Sequence, residues 1–339
     1  MKLYGAVDLH SNNSYVAITD EKDNVIKHKR LPNDLDEIDG FFEGYKEKLE
    51  DLVVESTFNG YWLVDGLKEK GYGVKLAHMM ACAPYAGLRY ADDKSDCLWL
   101  NRMHRIGVLP TGYIYPKNER PIRDLLRRRM YLVQVRTGLW NNLKHVSYTH
   151  NTEPLKRQLL VNIDSPGIGH LFPDPLLRAS ADSLLGPIRT LTKNIAQMES
   201  LIHKHTKTDA VVNRLMKVRG IGPILAWTIR YEAGPVERFQ SDKNFLSYCG
   251  LAPTSRMSNN KKKGSPSQRS FNHYLRWAFA ELVITSIKIP RVRHYHDRLV
   301  KRKGKIKAKA IISSKYARIV YRIMKNPDFV YDPAMLFGV

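Results

Sequence analysis

Cysteine is scarce: three in 339 residues, at positions 82, 97 and 249. They are odd in number, far apart and without a CxxC pair, which excludes both a disulfide framework and a zinc ribbon; Cys82, Cys97 and Cys249 read as small buried residues. Acidic residues are also few, 33 against 55 lysines and arginines, for a net charge of +22. Such an imbalance is costly in self-repulsion unless a polyanion offsets it, so nucleic acid is the expected partner. No stretch approaches the roughly 18 apolar residues of a membrane span, and "MKLYGAVDLH" enters a strand pattern without a basic leader and apolar core. The expectation is a cytoplasmic, nucleoid-associated protein with no membrane partner. No glycine-rich phosphate loop follows the first hairpin pattern, which sets aside a sugar-kinase-like ATPase.

The chain has 43% hydrophobic residues, enough for more than one core. From Leu3, three alternating segments, "LYGAVDLH", "SYVAITDE" and "VIKHKRL", are separated by Asn- and Asp-rich turns. An acidic amphipathic helix over "DLDEIDGFFEGYKEKLE" follows, then strand "DLVVES", helix "GYWLVDGLKEKG", strand "GVKLAH" and a helical stretch through "DDKSDCLWLNRMHRIG". An antiparallel meander that turns into alternating strands and helices is the order of an α/β ribonuclease H-like domain, expected over residues 1–115.

After Pro116 a long basic helix, "RPIRDLLRRRMYLVQVRTGLWNNLKHV", carries Ile122, Leu126, Met130, Val133 and Trp140 at helical spacing. It pairs in expectation with "LLGPIRTLTKNIAQMESLIHKH" as a coiled-coil insertion over residues 116–207, a plausible dimer surface. A mainly helical domain over 208–339 opens with two helices joined by "RGIGP"; Gly220 and Gly222 there resemble a helix-hairpin-helix turn, whose amides can face a phosphate. The loop "GLAPTSRMSNNKKKGSPSQRS" comes next, with Lys261, Lys262, Lys263 and Arg269, then the helix bearing Arg276 and a very basic stretch from Arg291 to Lys325. Taken alone, the lysine run suits a solvated loop as well as a phosphate contact; the overall charge favours phosphate.

Asp8 ends the first strand and Glu55 the fourth, and these strands lie side by side in a ribonuclease H-like sheet. Asp93 and Asp96 are one helical turn apart, on one face. Alone, Asp8 suits a turn and Asp93 a solvated helix face; together the four carboxylates are a ligand set for magnesium, which takes oxygen donors and keeps positions for water and phosphate. His10, His145, His150 and His170 lack metal-like spacing and receive no role.

"GAVDLHSN", "VVEST", "DKSD", "VRGIGPILAWTI", "RFQSDKNFLSYCGLAPTSRMS" and "YLRWAF" occur in the order and approximate spacing of the DEDD transposases of one insertion-sequence family, bridge-RNA-guided DNA recombinases, and the chain resembles them over nearly its whole length. The resemblance implies a Holliday-junction-resolvase-like domain, a coiled-coil insertion and a C-terminal helical transposase domain. It implies a metal-binding tetrad at Asp8, Glu55, Asp93 and Asp96, a nucleophilic serine at Ser258, and a phosphoserine intermediate formed at a composite site of two protomers, in a homodimer or homotetramer. It implies a structured guide RNA that pairs with target and donor DNA. The chain departs from the pattern where Asn259 and Asn260 replace a glycine, at Ser270, and where Asp92 replaces a threonine; Ser255 is the competing nucleophile. Two further readings remain: a magnesium-dependent nuclease or junction resolvase that uses only the carboxylates, and a non-catalytic nucleic-acid-binding protein.

Overall fold

The computed structural model describes residues 1–82, 93–155, 171–253, 257–258, 261–262, 271–332 and 334–337. By compactness the chain divides into Met1–Lys117 and Asn118–Val339.

The first unit runs β1 (Leu3–Leu9), β2 (Asn13–Thr19), β3 (Val25–Pro32), α1 (Leu35–Phe42), a 3-10 segment (Glu43–Lys48), β4 (Leu49–Glu55), α2 (Tyr61–Glu69), β5 (Val74–Ala77), α3 (Met79–Cys82), α4 (Asp93–Arg105) and β6 (Thr111–Gly112). The strands form one mixed sheet in the order β3-β2-β1-β4-β5-β6. The first three are antiparallel, β4 and β5 run parallel to β1, and β6 closes the far edge antiparallel. The single helix expected over "DLDEIDGFFEGYKEKLE" is shorter, because the chain must be extended again at Leu49 to pair with Leu3. Asp34 caps α1 by accepting from the amides of Asp36 and Glu37 at 2.9 and 3.0 Å.

Alternation sorts the sheet into two buried faces. Val7, Val16, Leu52 and Val54 pack with Ile38, Phe42, Leu63 and Leu67 of α1 and α2. The opposite face presents Ala6, Ala17, Val53 and Ala77 to Cys97, Leu100 and Met103 of α4. Three alanines on that face let α4 lie close: Cys97 Sγ is 3.3 Å from the Ala6 carbonyl, and Asn101 Nδ2 donates to the Ala17 carbonyl at 3.2 Å.

The second unit contains α5 (Arg120–Thr149), α6 (Pro175–Thr206), α7 (Ala210–Met216), α8 (Pro223–Ala233), a 3-10 turn (Val236–Arg238), α9 (Asp242–Tyr248), a ribbon of β7 (Met257–Ser258) and β8 (Lys261–Lys262), α10 (His273–Ser286), α11 (Pro290–Lys303), α12 (Lys305–Lys325) and α13 (Ala334–Phe337). Helices α5 and α6 are antiparallel: Arg129 pairs with Glu199 at 2.7 Å, Arg136 reaches Thr192, and Trp140 and Leu143 pack with Ala181, Leu185 and Ile188. A separate core gathers Leu215, Trp227, Phe245, Phe279, Ile312 and Tyr316 from α7, α8, α9, α10 and α12. Among the described residues no helix is long and apolar enough to cross a membrane.

Candidate metal centre and nucleophile loop

In the first unit, Asp8 lies at the C-terminal end of β1 and is 2% exposed. Register continues from Val7↔Val54, so Asp8 and Glu55 come level on neighbouring parallel strands, on the α4 face. Asp93 opens α4, and Asp96 follows one turn later, half-buried like Glu55. The Cys97 thiol, beside Asp96, senses this acidic concentration: burial first, then the negative charges of Asp8 and Glu55, push it well above the ordinary thiol range. It is a neutral packing group and no metal thiolate.

Asp8, His10 and Asp93 offer ligand atoms that all lie within 4.8 Å of one another. His10 Nε2 stands 3.4 Å from Asp8 Oδ2 and 3.4 Å from Asp93 Oδ1. Asp8 Oδ2 and His10 Nε2 are buried yet lack a hydrogen-bond partner among the described residues. Buried polar atoms left unpaired are costly, and here two of them face a common point. The backbone of His10 is fixed in turn: its carbonyl accepts from Asn33 Nδ2 at 3.0 Å and from Asn59 Nδ2 at 3.1 Å, and its amide donates to Asn13. Arg30 pairs with the other oxygen of Asp93, across the row Asp8↔Tyr15↔Arg30 that runs over three strands.

The donor set fits a divalent cation. Neighbouring ligands of an octahedral ion held at about 2.1 Å stand about 3.0 Å apart, and the two 3.4 Å separations are near that value. Carboxylate oxygens suit magnesium, while an imidazole nitrogen widens the range toward softer first-row ions. Asp8, Asp93 and His10 would hold the ion, with Glu55 and Asp96 on the same face. Sequence reasoning missed His10 and Arg30. Asp8 and His10 are two apart in sequence, with His10 directly after the end of β1, a short-range signal that could have found it; Arg30 becomes visible only once both hairpin registers are known.

In the second unit, Ser258 ends β7 and pairs in register with Lys261 of β8, with Met257 opposite Lys262. Ser255, Asn259, Asn260, Lys263, Arg269 and Ser270 lie outside the described residues, as does Asp92. The segment's ends are clasped. The Asn272 amide donates to the Tyr248 carbonyl at 2.7 Å, and Gly250, at φ +68°, lets the Phe271 ring lie where a β-carbon would stand 2.7 Å away. Asn272 caps α10 and donates through Nδ2 to Glu232 at 2.7 Å. Glu232 is 1% exposed and is held bidentately by Arg127, at 2.6 and 2.9 Å, and by Arg123 at 3.2 Å. This buried carboxylate thereby ties α5 and α8 to the exit of the loop.

Gly220 adopts φ +106°; its carbonyl accepts from Thr285 Oγ1 at 2.9 Å, and a β-carbon there would stand 3.2 Å from Leu282. Gly222 precedes α8, and a β-carbon on it would meet nothing within 4 Å. Arg276 is exposed one turn into α10, with its guanidinium 4.8 Å from the Phe271 ring centre.

A candidate carboxylate-lined cation site at the end of a mixed sheet, in a chain that also carries a strongly basic helical unit, is the equipment of phosphoryl-transfer proteins that act on nucleic acid. Residues 212–297, from α7 into α11, match the family model "Transposase IS116/IS110/IS902 family", so this part of the second unit is similar to transposases of that type. Similar proteins include a "Probable family 20 transposase" of Pseudomonas aeruginosa, 26% identical over 238 residues covering 66% of this chain and 68% of that protein. Another is "Putative transposase y4qE" of Sinorhizobium fredii, 23% identical over 239 residues covering 70% of this chain and 59% of that protein.

Proposed function

We propose that the protein is a mobile-element DNA transposase that cuts and rejoins strands through a covalent phosphoserine intermediate. A structured RNA would guide it by pairing with target and donor DNA, and it would work as a homodimer or homotetramer of chains organised as 1–115, 116–207 and 208–339. The observation that carries this reading is the meeting of Asp8 and Asp93, 85 positions apart, around buried atoms that no hydrogen bond satisfies among the described residues. The sheet order supports a ribonuclease H-like unit, the matched segment supports the transposase assignment, and the +22 charge supports a nucleic-acid partner.

In this reading Asp8 and Asp93, with His10 beside them and Glu55 and Asp96 completing the carboxylate set, would hold magnesium, which would supply Lewis-acid stabilisation of charge on phosphoryl oxygens. Ser258 Oγ attacks the scissile phosphorus, its proton passes to a neighbouring base, and the bond to the departing sugar oxygen breaks as that oxygen takes up a proton. One phosphate ester replaces another, so the energy needed for rejoining is conserved, whereas hydrolysis would discard it. Lys261, Lys262, Lys263 and Arg269 neutralise the phosphate, and Gly220, Gly222 and Arg276 contact the strand in a helix-hairpin-helix manner. The test is strand cleavage by protein co-expressed with its native flanking DNA: Asp8→Asn abolishes cleavage in magnesium, and cleavage that persists in this variant overturns the assignment.

A further inference from the structure

Residues 290–325 hold thirteen lysines and arginines and one acidic residue, Asp297, a net +12 out of the chain's +22. The structure folds this stretch into two helices, α11 and α12, turned at Gly304, whose φ of +80° suits glycine. Val292 and Leu299 of α11 and Ala308, Ile312 and Tyr316 of α12 are buried in the second unit's core, so the hairpin is anchored along its inner side. Its tip is different. Lys301, Arg302, Lys303, Lys305 and Lys307 are all exposed, and among the described residues none of the five has an ion-pair partner. Between the last two stands Ile306, 87% exposed, the one large hydrophobic residue exposed among the described residues of the two helices. Lys301–Lys307 also lies beyond the segment 212–297 that matches the transposase family.

Five uncompensated cations within seven residues repel one another, and folding alone gives no return for placing them on rigid helix ends. A phosphate backbone does. An aliphatic side chain flanked by cations is the chemistry of a wedge that enters a base step while its neighbours hold the adjoining phosphates. No exposed phenylalanine, tyrosine or tryptophan accompanies it in α11 or α12, as strong stacking on unpaired bases would require. The wide, shallow minor groove of A-form RNA offers an aliphatic wedge no narrow cleft.

We infer that the tip of the α11–α12 hairpin is a binding site for double-stranded DNA, with Lys301, Arg302, Lys303, Lys305 and Lys307 on phosphates and Ile306 inserted at a base step. This site is independent of the identity of the nucleophile. The test uses the full chain, a labelled 30-base-pair DNA duplex and an RNA hairpin of equal charge, with affinity measured across potassium chloride concentrations. Replacing all five cations by glutamine lowers the slope of log affinity against log salt by about 4.5, since each lost phosphate contact is worth about 0.9, and weakens duplex binding at least about tenfold at 100 mM salt. Should the fivefold change disturb the hairpin, Lys303→Gln/Lys305→Gln lowers the slope by about 2. Ile306→Ala leaves the slope within about 1 of the parent but abolishes the duplex bend read by energy transfer between labelled ends. An unchanged duplex slope, or a loss confined to the RNA hairpin, overturns the site; an unchanged bend in Ile306→Ala overturns the wedge.

Discussion

Replacing Glu232 by alanine tests the clasp around the serine-bearing loop. The carboxylate is 1% exposed and accepts four hydrogen bonds, three from Arg123 and Arg127 and one from Asn272. Removing one partner of a buried ion pair costs about 3–5 kcal/mol, because the remaining charges stay desolvated. Arg127 keeps 32% of its side chain in water and Arg123 only 13%, so the lower end, about 3 kcal/mol, applies. For a unit of this size each kcal/mol moves the midpoint about 2–4 °C, and thermal melting followed by circular dichroism should fall by about 6–12 °C. The triple variant Glu232→Leu/Arg127→Leu/Arg123→Met should recover most of that loss, since hydrophobic replacement of a complete buried pair is close to neutral. A fall under 2 °C for Glu232→Ala, or a triple variant less stable than the single one, would refute the reasoning.

Gly220→Ala should cost about 1–3 kcal/mol in urea denaturation, because φ +106° is strained for alanine and Leu282 stands in the way, whereas Gly222→Ala, with open space in front of it, should cost under about 1 kcal/mol. Burial raises the Cys97 and Cys249 thiols above their ordinary value of 9.0. The unfolded chain therefore loses protons above pH 9 that the folded chain keeps, and their contribution to stability is complete below pH 9 and declines above it, by up to about 1.4 kcal/mol per pH unit per thiol. Urea midpoints at pH 8 and pH 10 should show a shallower decline in Cys97→Ala/Cys249→Ala; equal declines would contradict it. His10→Asn should lower the manganese-to-magnesium ratio of binding constants in calorimetry by about tenfold; an unchanged ratio would remove His10 from the ligand set.

How far the sequence could be read depended on the range of the interaction. Asp8 and Glu55 were legible because strand alternation and chain order place them at neighbouring strand ends, and Asp93 and Asp96 because a helix repeats every 3.6 residues. His10 follows the last residue of β1, in a turn held by Asn33 and Asn59, and those partners lie 23 and 49 positions away. Arg30 and the cluster of Glu232, Arg123, Arg127 and Asn272 join residues up to about 150 positions apart, for which no local period exists. The stretch 291–325 was legible as charge, yet its apolar positions Val292, Leu299, Ile312, Ile319 and Ile323 also follow helical spacing. The dense lysines and arginines masked that signal, and Gly304 alone marks where one helix ends and the next begins.

The most direct test of the central claim is to trap the protein on cleaved donor DNA in magnesium, digest it and identify the DNA-linked peptide by mass spectrometry. The expected result is a phosphodiester on Ser258, lost in both Ser258→Ala and Asp8→Asn. Hydrolysed DNA ends with no protein attached, formed equally well by Ser258→Ala, would contradict the recombinase account and leave a metal-dependent nuclease.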